Sequence, residues 1–228
     1  MRGDEDIGRT GDGRVAIVAG ATGLVGRALV ARLCADPGVA RVHALVRRPL
    51  AMDAPKLQLH VVPFDRLGSL PPVDEAYLAL GTTIAVAGSR EAFRAVDLEA
   101  NLAVARAALG AGARRIGVVS AMGANAASRV FYSRVKGELE DALAALPLEA
   151  LVIARPSLLL GDRDRLGQSR RRGERLAAGL DRWLRPLLPA RLRGIAADDV
   201  AAALVAALAH GQGRQVLDSA RMQGAARD

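Results

Sequence analysis

A phenol and an ammonium group stand four residues apart at Tyr132 and Lys136, and a hydroxyl, Ser120, stands twelve residues before the phenol. In a helix, that i, i+4 spacing puts phenol and ammonium on one face. A cation beside a phenol stabilises the phenolate and readies its oxygen to give or take a proton near neutral pH. Ser120, expected at the end of a strand, could hydrogen-bond the same substrate oxygen. Tyr-x-x-x-Lys alone is common and means nothing, so its weight comes from what surrounds it.

A second set of residues reads as an anion cradle. Gly20, Gly23 and Gly26 punctuate the run Gly20, Ala21, Thr22, Gly23, Leu24, Val25, Gly26. The β-branched stretch 14–19 before it predicts a buried strand, and the spacing of apolar residues over 24–33 predicts a helix. Gly20 permits the tight turn, Gly23 lets bare backbone approach a pyrophosphate, and Gly26 lets the helix pack close to the strand. Thr22 in the turn and the amides of Leu24 and Val25 at the helix start would surround the anion. The spacing is Gly-x-x-Gly-x-x-Gly, and an ordinary glycine-rich turn could carry it.

Context favours the nucleotide. A second strand, 41–46, closes a βαβ unit of the size dinucleotides use. Where an NAD site usually places Asp or Glu for the ribose 2′-hydroxyl, this chain has Arg47 and Arg48. Guanidinium forks suit a 2′-phosphate, so NADP(H) is expected over NAD(H), with two solvated loop arginines as the alternative.

The remaining pattern supplies the frame. A third strand, 57–62, leads to Asp65, which could accept from an adenine amino group or cap the next turn. A fourth, 76–80, ends in a small-residue loop, so that Leu80, Gly81 and Thr82 lie at the carboxyl edge where cofactors sit. A long helix over 91–109 precedes a fifth strand, 115–119, that ends at Ser120. A sixth strand is expected over 149–154, helices over 166–188 and 197–210, and a last strand over 214–217, with no pattern after Asp218. The expected fold is α/β: a doubly wound, mainly parallel Rossmann-type sheet of six or seven strands with helices on both faces. Residues 1–13 read as a lead-in, 14–156 as the nucleotide-binding core, and 157–228 as a small substrate region completing the same domain.

Composition narrows the partners. Apolar residues make up 51% of the 228 but aromatics only 3%, so the core must be built from Ala, Val and Leu. The net charge of +8 gathers late, in Arg163, Arg165, Arg170, Arg171, Arg172, Arg175, Arg182, Arg185, Arg191 and Arg193. Aromatics able to stack on bases are nearly absent there, Trp183 excepted, which argues against nucleic acid and for a solvated face or the rim of an anionic small-molecule site. The one cysteine, Cys34, allows no internal disulfide, and there is neither an apolar leader nor a long uncharged run. A cytoplasmic protein without a membrane span is the expectation. His43, His60 and His210 show no ligand spacing, so no metal is expected, and no Gly-x-Ser-x-Gly elbow surrounds Ser120.

In combination, LGTT at 80–83, VD at 96–97, VVSAMGA at 118–124, FYSRVKGELE at 131–140 and ARPSLLLGDR at 154–163 resemble the short-chain dehydrogenase/reductase superfamily in its atypical, NAD(P)-binding branch. Within it they are similar to the Tat-interacting oxidoreductase-like proteins, from about Val15 to Asp162. The resemblance implies that Gly20, Gly23 and Gly26 cradle the pyrophosphate and that Arg47 and Arg48 meet the 2′-phosphate. It implies a catalytic set of Ser120, Tyr132 and Lys136, with Lys136 also bonding the nicotinamide ribose and Pro156 flanking the nicotinamide. Many such sites add an Asn on the long helix; here that segment reads Val96, Asp97, Leu98, with Asn101 about a turn later, and the role stays unassigned. The expected activity is NADPH-dependent hydride transfer to or from a carbonyl or hydroxyl of a small substrate. A cofactor-bound sensor without turnover and an activity like that of nucleotide-sugar epimerases are the alternatives, and oligomeric state stays open.

Overall fold

The computed structural model describes residues 13–49, 52–160, 189 and 192–227. The order is β1 (Arg14–Ala19), α1 (Leu24–Ala35), β2 (Val39–Val46), β3 (Leu57–Val61), β4 (Glu75–Leu78), α2 (Ile84–Ala87), α3 (Arg90–Arg94), a π-helical stretch (Ala95–Ala100) and α4 (Asn101–Gly110). Then come β5 (Arg115–Val119), α5 (Phe131–Ala144), β6 (Ala150–Arg155), β7 (Leu159–Leu160), β8 (Ile195–Ala196), α6 (Ala197–His210), β9 (Gly213–Asp218) and α7 (Ser219–Met222).

Seven strands form one parallel sheet in the order β3-β2-β1-β4-β5-β6-β9. Parallel pairing demands a crossover after each strand, and the crossovers cover both faces. Along β1 the alternation is direct. Ala16 and Val18 face one layer with Leu29, Leu33, Leu204 and Leu208 of α1 and α6. Ile17 and Ala19 face the other with Phe93, Val104, Val135 and Leu139 of α3, α4 and α5. The near absence of aromatics fits this packing, since Ala and Val let helices lie close to the sheet.

The structure differs from the sequence pattern at particular places. β4 ends at Leu78, because the Leu80 carbonyl accepts from the Asn101 side chain and has left the ladder. The helix expected over 91–109 is present from Arg90 to Gly110, with helical backbone throughout, but it widens into the π-helical stretch in its middle. A two-stranded pair, β7 with β8, and the short α7 after Asp218 are elements too brief for periodicity to reveal. The expected helix over 166–188, with Trp183, and the arginines from Arg163 to Arg191 lie outside the described residues.

Two of the histidines meet between β2 and β3. His43 Nδ1 and His60 Nε2 are 2.9 Å apart, one donating and the other accepting, and His43 is 2% exposed. Burial, with His60 and Arg41 nearby, lowers the His43 pKa from 6.5 to about 4. A base harder to protonate folded than unfolded leaves the unfolded chain holding more protons between those values, so stability falls as pH drops through that window and is whole above it. The melting temperature should therefore decline from about pH 6.5 to about pH 4. His43→Gln should flatten that slope in a pH series of thermal melts; an unchanged slope would assign the acid sensitivity elsewhere.

Candidate active site

Strand order reverses between β1 and β4, and there the helices leave in opposite directions and a crevice opens at the carboxyl edge of the sheet. The glycine turn follows β1 and the loop Leu80–Gly81–Thr82 follows β4, so the two line the same crevice. Gly20 has φ +89°, and a Cβ there would sit 2.4 Å from the Ala79 carbonyl oxygen. A Cβ at Gly26 would lie 2.0 Å from the Gly20 carbonyl oxygen, so both positions exclude a side chain. At Gly23 a Cβ would meet nothing nearer than that oxygen at 3.4 Å, which leaves the outer side of the turn open.

Helix α1 begins there without a side-chain cap and with no acid in its first turn. The amides of Leu24, Val25 and Gly26 precede the first intrahelical bond, from Arg27 N–H to the Gly23 carbonyl, and concentrate the positive end of the helix dipole. Thr22 is exposed beside them, and Arg47 and Arg48 are exposed just past the end of β2. Among the described residues no carboxylate pairs with either arginine. Bare amides, an open turn and two uncommitted guanidinium groups fit the phosphates of a dinucleotide. Asp65 projects into solvent, with Arg66 at 4.0 Å.

The phenol and the ammonium are carried by α5. Tyr132 is 37% exposed, with its ring 5.6 Å from that of Phe93. Lys136 is buried, and its Nζ lies 2.7 Å from Asp97 Oδ1. That contact is short but not aligned as a hydrogen bond, so Oδ1 has a charge partner and no aligned donor. The other oxygen, Asp97 Oδ2, accepts from the Thr82 amide at 2.8 Å. Asn101 Nδ2 lies 3.2 Å from each of the Leu80, Val96 and Asp97 carbonyls, and its Oδ1 is buried without a partner. The π-helical stretch and the residue after it thus fasten the loop that carries Leu80, Gly81 and Thr82.

Ser120 points elsewhere. It is 4% exposed, and its Oγ donates to Glu140 Oε1 at 2.5 Å. Glu140 is held in turn by Arg155, at 3.0 Å from Nε and 2.5 Å from a terminal nitrogen, with an Arg214 nitrogen at 3.6 Å. The hydrogen bonds to Glu140 hold the Arg155 pKa above its ordinary value. The serine proton is therefore committed inward. Pro156 is buried, its carbonyl accepting from the Met122 amide at 3.0 Å, which ties the end of β6 to the loop after Ser120.

Glu140 and Arg155 lie within the motifs at 131–140 and 154–163, but neither carried an expected role. One signal was present: Tyr132, Lys136 and Glu140 recur every fourth residue, so an acid lay in line with a phenol and an amine on a helix otherwise apolar on its inner side. Asp97 sat in the same way among Val96, Leu98 and Ala100. A carboxylate on a core-facing side marks a buried partner, but sequence does not name the partner.

Comparison with known proteins places these observations. No family model matches the chain. Protein FMP52 of Eremothecium gossypii, named as mitochondrial, is 40% identical over 154 residues, covering 65% of this chain and 68% of that protein. The protein of the same name from Candida albicans is 34% identical over 197 residues, covering 80% of this chain and 82% of that one. Solved structures share the fold at low identity. An oxidoreductase of the short-chain dehydrogenase/reductase family from Burkholderia thailandensis has TM-score 0.65 at 21% identity, covering 92% of this chain and 93% of that one. WbmF of Bordetella bronchiseptica, solved with NAD+, has TM-score 0.65 at 20% identity, covering 92% and 76%. MoeE5, solved with UDP-glucose and NAD, has TM-score 0.64 at 20% identity, covering 91% and 76%. The relatives overturn the expectation of a cytoplasmic protein, since those at 34–40% identity are named mitochondrial. No described helix is long and apolar enough to cross a membrane.

The Glu140 cluster can be tested by itself. Arg155→Met should leave a nearly inaccessible carboxylate short of its main partner and lower unfolding free energy by about 2–3 kcal/mol in urea titrations. Glu140→Leu combined with Arg155→Met should recover most of that loss. A neutral single variant would mean that Arg214 or solvent satisfies the acid.

Proposed function

This chain belongs to the FMP52 protein family, and from that premise and the crevice at the strand-order reversal we propose that it is an NADP(H)-dependent oxidoreductase of the short-chain dehydrogenase/reductase type. The observation that carries the reading is continuity along one edge of the sheet. The Gly20 turn abuts Ala79, the following Leu80–Thr82 loop is fastened by Asp97, and Asp97 touches Lys136 on the helix that presents Tyr132. A nucleotide anchored on the start of α1 would extend toward that phenol. The similarity of the quoted motifs to the Tat-interacting oxidoreductase-like proteins supports the same reading.

In this reading residues 14–156 bind the nucleotide and 157–228 complete the side facing a small, anionic substrate. Gly20, Thr22, Gly23, Leu24, Val25 and Gly26 hold the pyrophosphate by backbone, Arg47 and Arg48 meet the 2′-phosphate, and Leu80, Gly81, Thr82 and Pro156 border the nicotinamide half. A bound nicotinamide supplies or accepts the hydride. Tyr132 gives or takes the proton at the substrate oxygen, and Lys136 stabilises the phenolate while bonding the ribose. Ser120, its own proton held by Glu140, orients a substrate hydroxyl by accepting from it. The exposure of Asp65 leaves it a role only at the outer, adenine end.

A second reading is a nicotinamide-bound sensor without turnover. It is favoured by the same two carboxylates, because Asp97 and Glu140 already hold Lys136 and Ser120, the two groups expected to act beside the phenol. The readings part at Tyr132→Phe. An enzyme should lose about a hundredfold or more in kcat on a carbonyl substrate found by NADPH oxidation, with cofactor affinity kept. Full turnover in that variant would remove the proton-transfer role.

Cofactor choice is decided by fluorescence titration. NADPH should bind at least about tenfold more tightly than NADH, as expected for a charge-assisted contact of about 1.4 kcal/mol or more. Arg47→Ala with Arg48→Ala should erase most of the difference. Tighter binding of NADH by the unaltered protein would overturn the NADP(H) assignment.

A further inference from the structure

Asp97 is more than a counterion. It is 1% exposed, sits within the π-helical stretch, and divides its oxygens between two groups from different elements: Oδ2 accepts the Thr82 amide at 2.8 Å, and Oδ1 lies 2.7 Å from Lys136 Nζ. The space between these groups is narrow. A Cβ built on Gly81 would lie 3.5 Å from Asp97 Oδ1 and 4.0 Å from Lys136 Nζ, so the ammonium rests directly beneath the exposed backbone of the loop. Four residues on, Asn101 Nδ2 takes the Leu80 carbonyl at 3.2 Å. Two neighbouring side chains therefore grip the loop at both ends, one by its carbonyl and one by its amide.

We infer that Asp97 is a positioning residue that couples the Lys136 ammonium to the Leu80–Thr82 loop, so that lysine and loop hold one geometry toward the nicotinamide half of a dinucleotide. This rests on the proposed function for the identity of the ligand, but not for the coupling itself. The physical reason is that a buried ammonium is costly unless paired, and a half-buried amide still loses stability unless accepted. One carboxylate meets both needs, and displacement of either partner is felt by the other. The π-helical stretch brings Asp97 to the loop.

Paired substitutions keep the test clear of misfolding, because removing both charges of a buried pair avoids the orphan charge that a single change leaves. Asp97→Asn with Lys136→Met keeps an oxygen for the Thr82 amide, whereas Asp97→Leu with Lys136→Met removes it. Two-dimensional NMR hydrogen exchange on the unliganded protein reads the Thr82 amide directly. Exchange there should be at least about tenfold faster in the Leu pair than in the Asn pair, with β1 and β5 unchanged. Lys136→Met alone, which removes no atom in contact with Thr82, should also speed exchange at Thr82 by more than at β1 and β5, which report the general cost of the orphan carboxylate. Equal exchange in the two pairs, or no response to Lys136→Met, would overturn the coupling.

NADPH titration supplies the second readout. Both pairs lack the lysine, so a difference between them reports loop placement alone, and the Leu pair should bind at least about fivefold more weakly. Equal affinity in two pairs that bind NADPH would overturn the positioning role. Failure of the unaltered protein to bind NADPH would instead strike the proposed function, and exchange at Thr82 would still decide the coupling.

Discussion

A parallel sheet covered on both faces has little left to offer a ligand except the ends of its strands. Here α1 and α6 seal one face and α3, α4 and α5 seal the other, with Ala16 and Val18 turned to the first layer and Ile17 and Ala19 to the second. Where strand order reverses at β1 and β4, the two layers part, and the backbone at the strand ends becomes accessible. Every residue discussed as a ligand contact, Asp65 and Lys136 excepted, lies at or just past the end of a strand or at the start of a helix. The low aromatic content belongs to the same constraint, since small side chains let helices approach a sheet that must be shielded on both sides.

Charge is handled differently at the two halves of the opening. On the glycine-turn side the positive groups are left uncommitted: bare amides at the start of α1 and two exposed arginines after β2. On the α5 side they are neutralised. Lys136 is paired with Asp97, and Glu140 gathers Ser120, Arg155 and Arg214. An anion is therefore attracted to one half, while the other half holds its proton-bearing groups in fixed places. Such a division suits a ligand that is anionic at one end and reactive at the other.

Two of the buried carboxylates, Asp97 and Glu140, lie where regular structure alone would have put an apolar side chain. Glu140 follows Lys136 by one turn of α5 among Val135, Leu139 and Leu143, and Asp97 lies beside Leu98 in the π-helical stretch. Each is retained at an energetic cost that its partners offset. The relatives named FMP52 share at least a third of the aligned residues, whereas the solved structures share about a fifth. The fold is therefore common to a wide group, and family membership rests on the closer likeness.

The amino-acid sequence by itself determined the alternation of strands and helices, the glycine turn, the absence of an acid after β2, and the Tyr132–Lys136 spacing. All of these are local: they depend on periods of two and of about four residues and on which side chains a turn can bear. Tertiary structure alone decided where the polar groups between those motifs point. Ser120 turns to Glu140 twenty residues away, and Lys136 meets Asp97 thirty-nine residues before it, because packing α5 against the π-helical stretch and β5 puts them in reach. The π-helical widening of the long helix was equally illegible, since its apolar spacing fits a regular α-helix. The contacts of Asp97 and Asn101 with the loop after β4 exist only once the two segments are side by side.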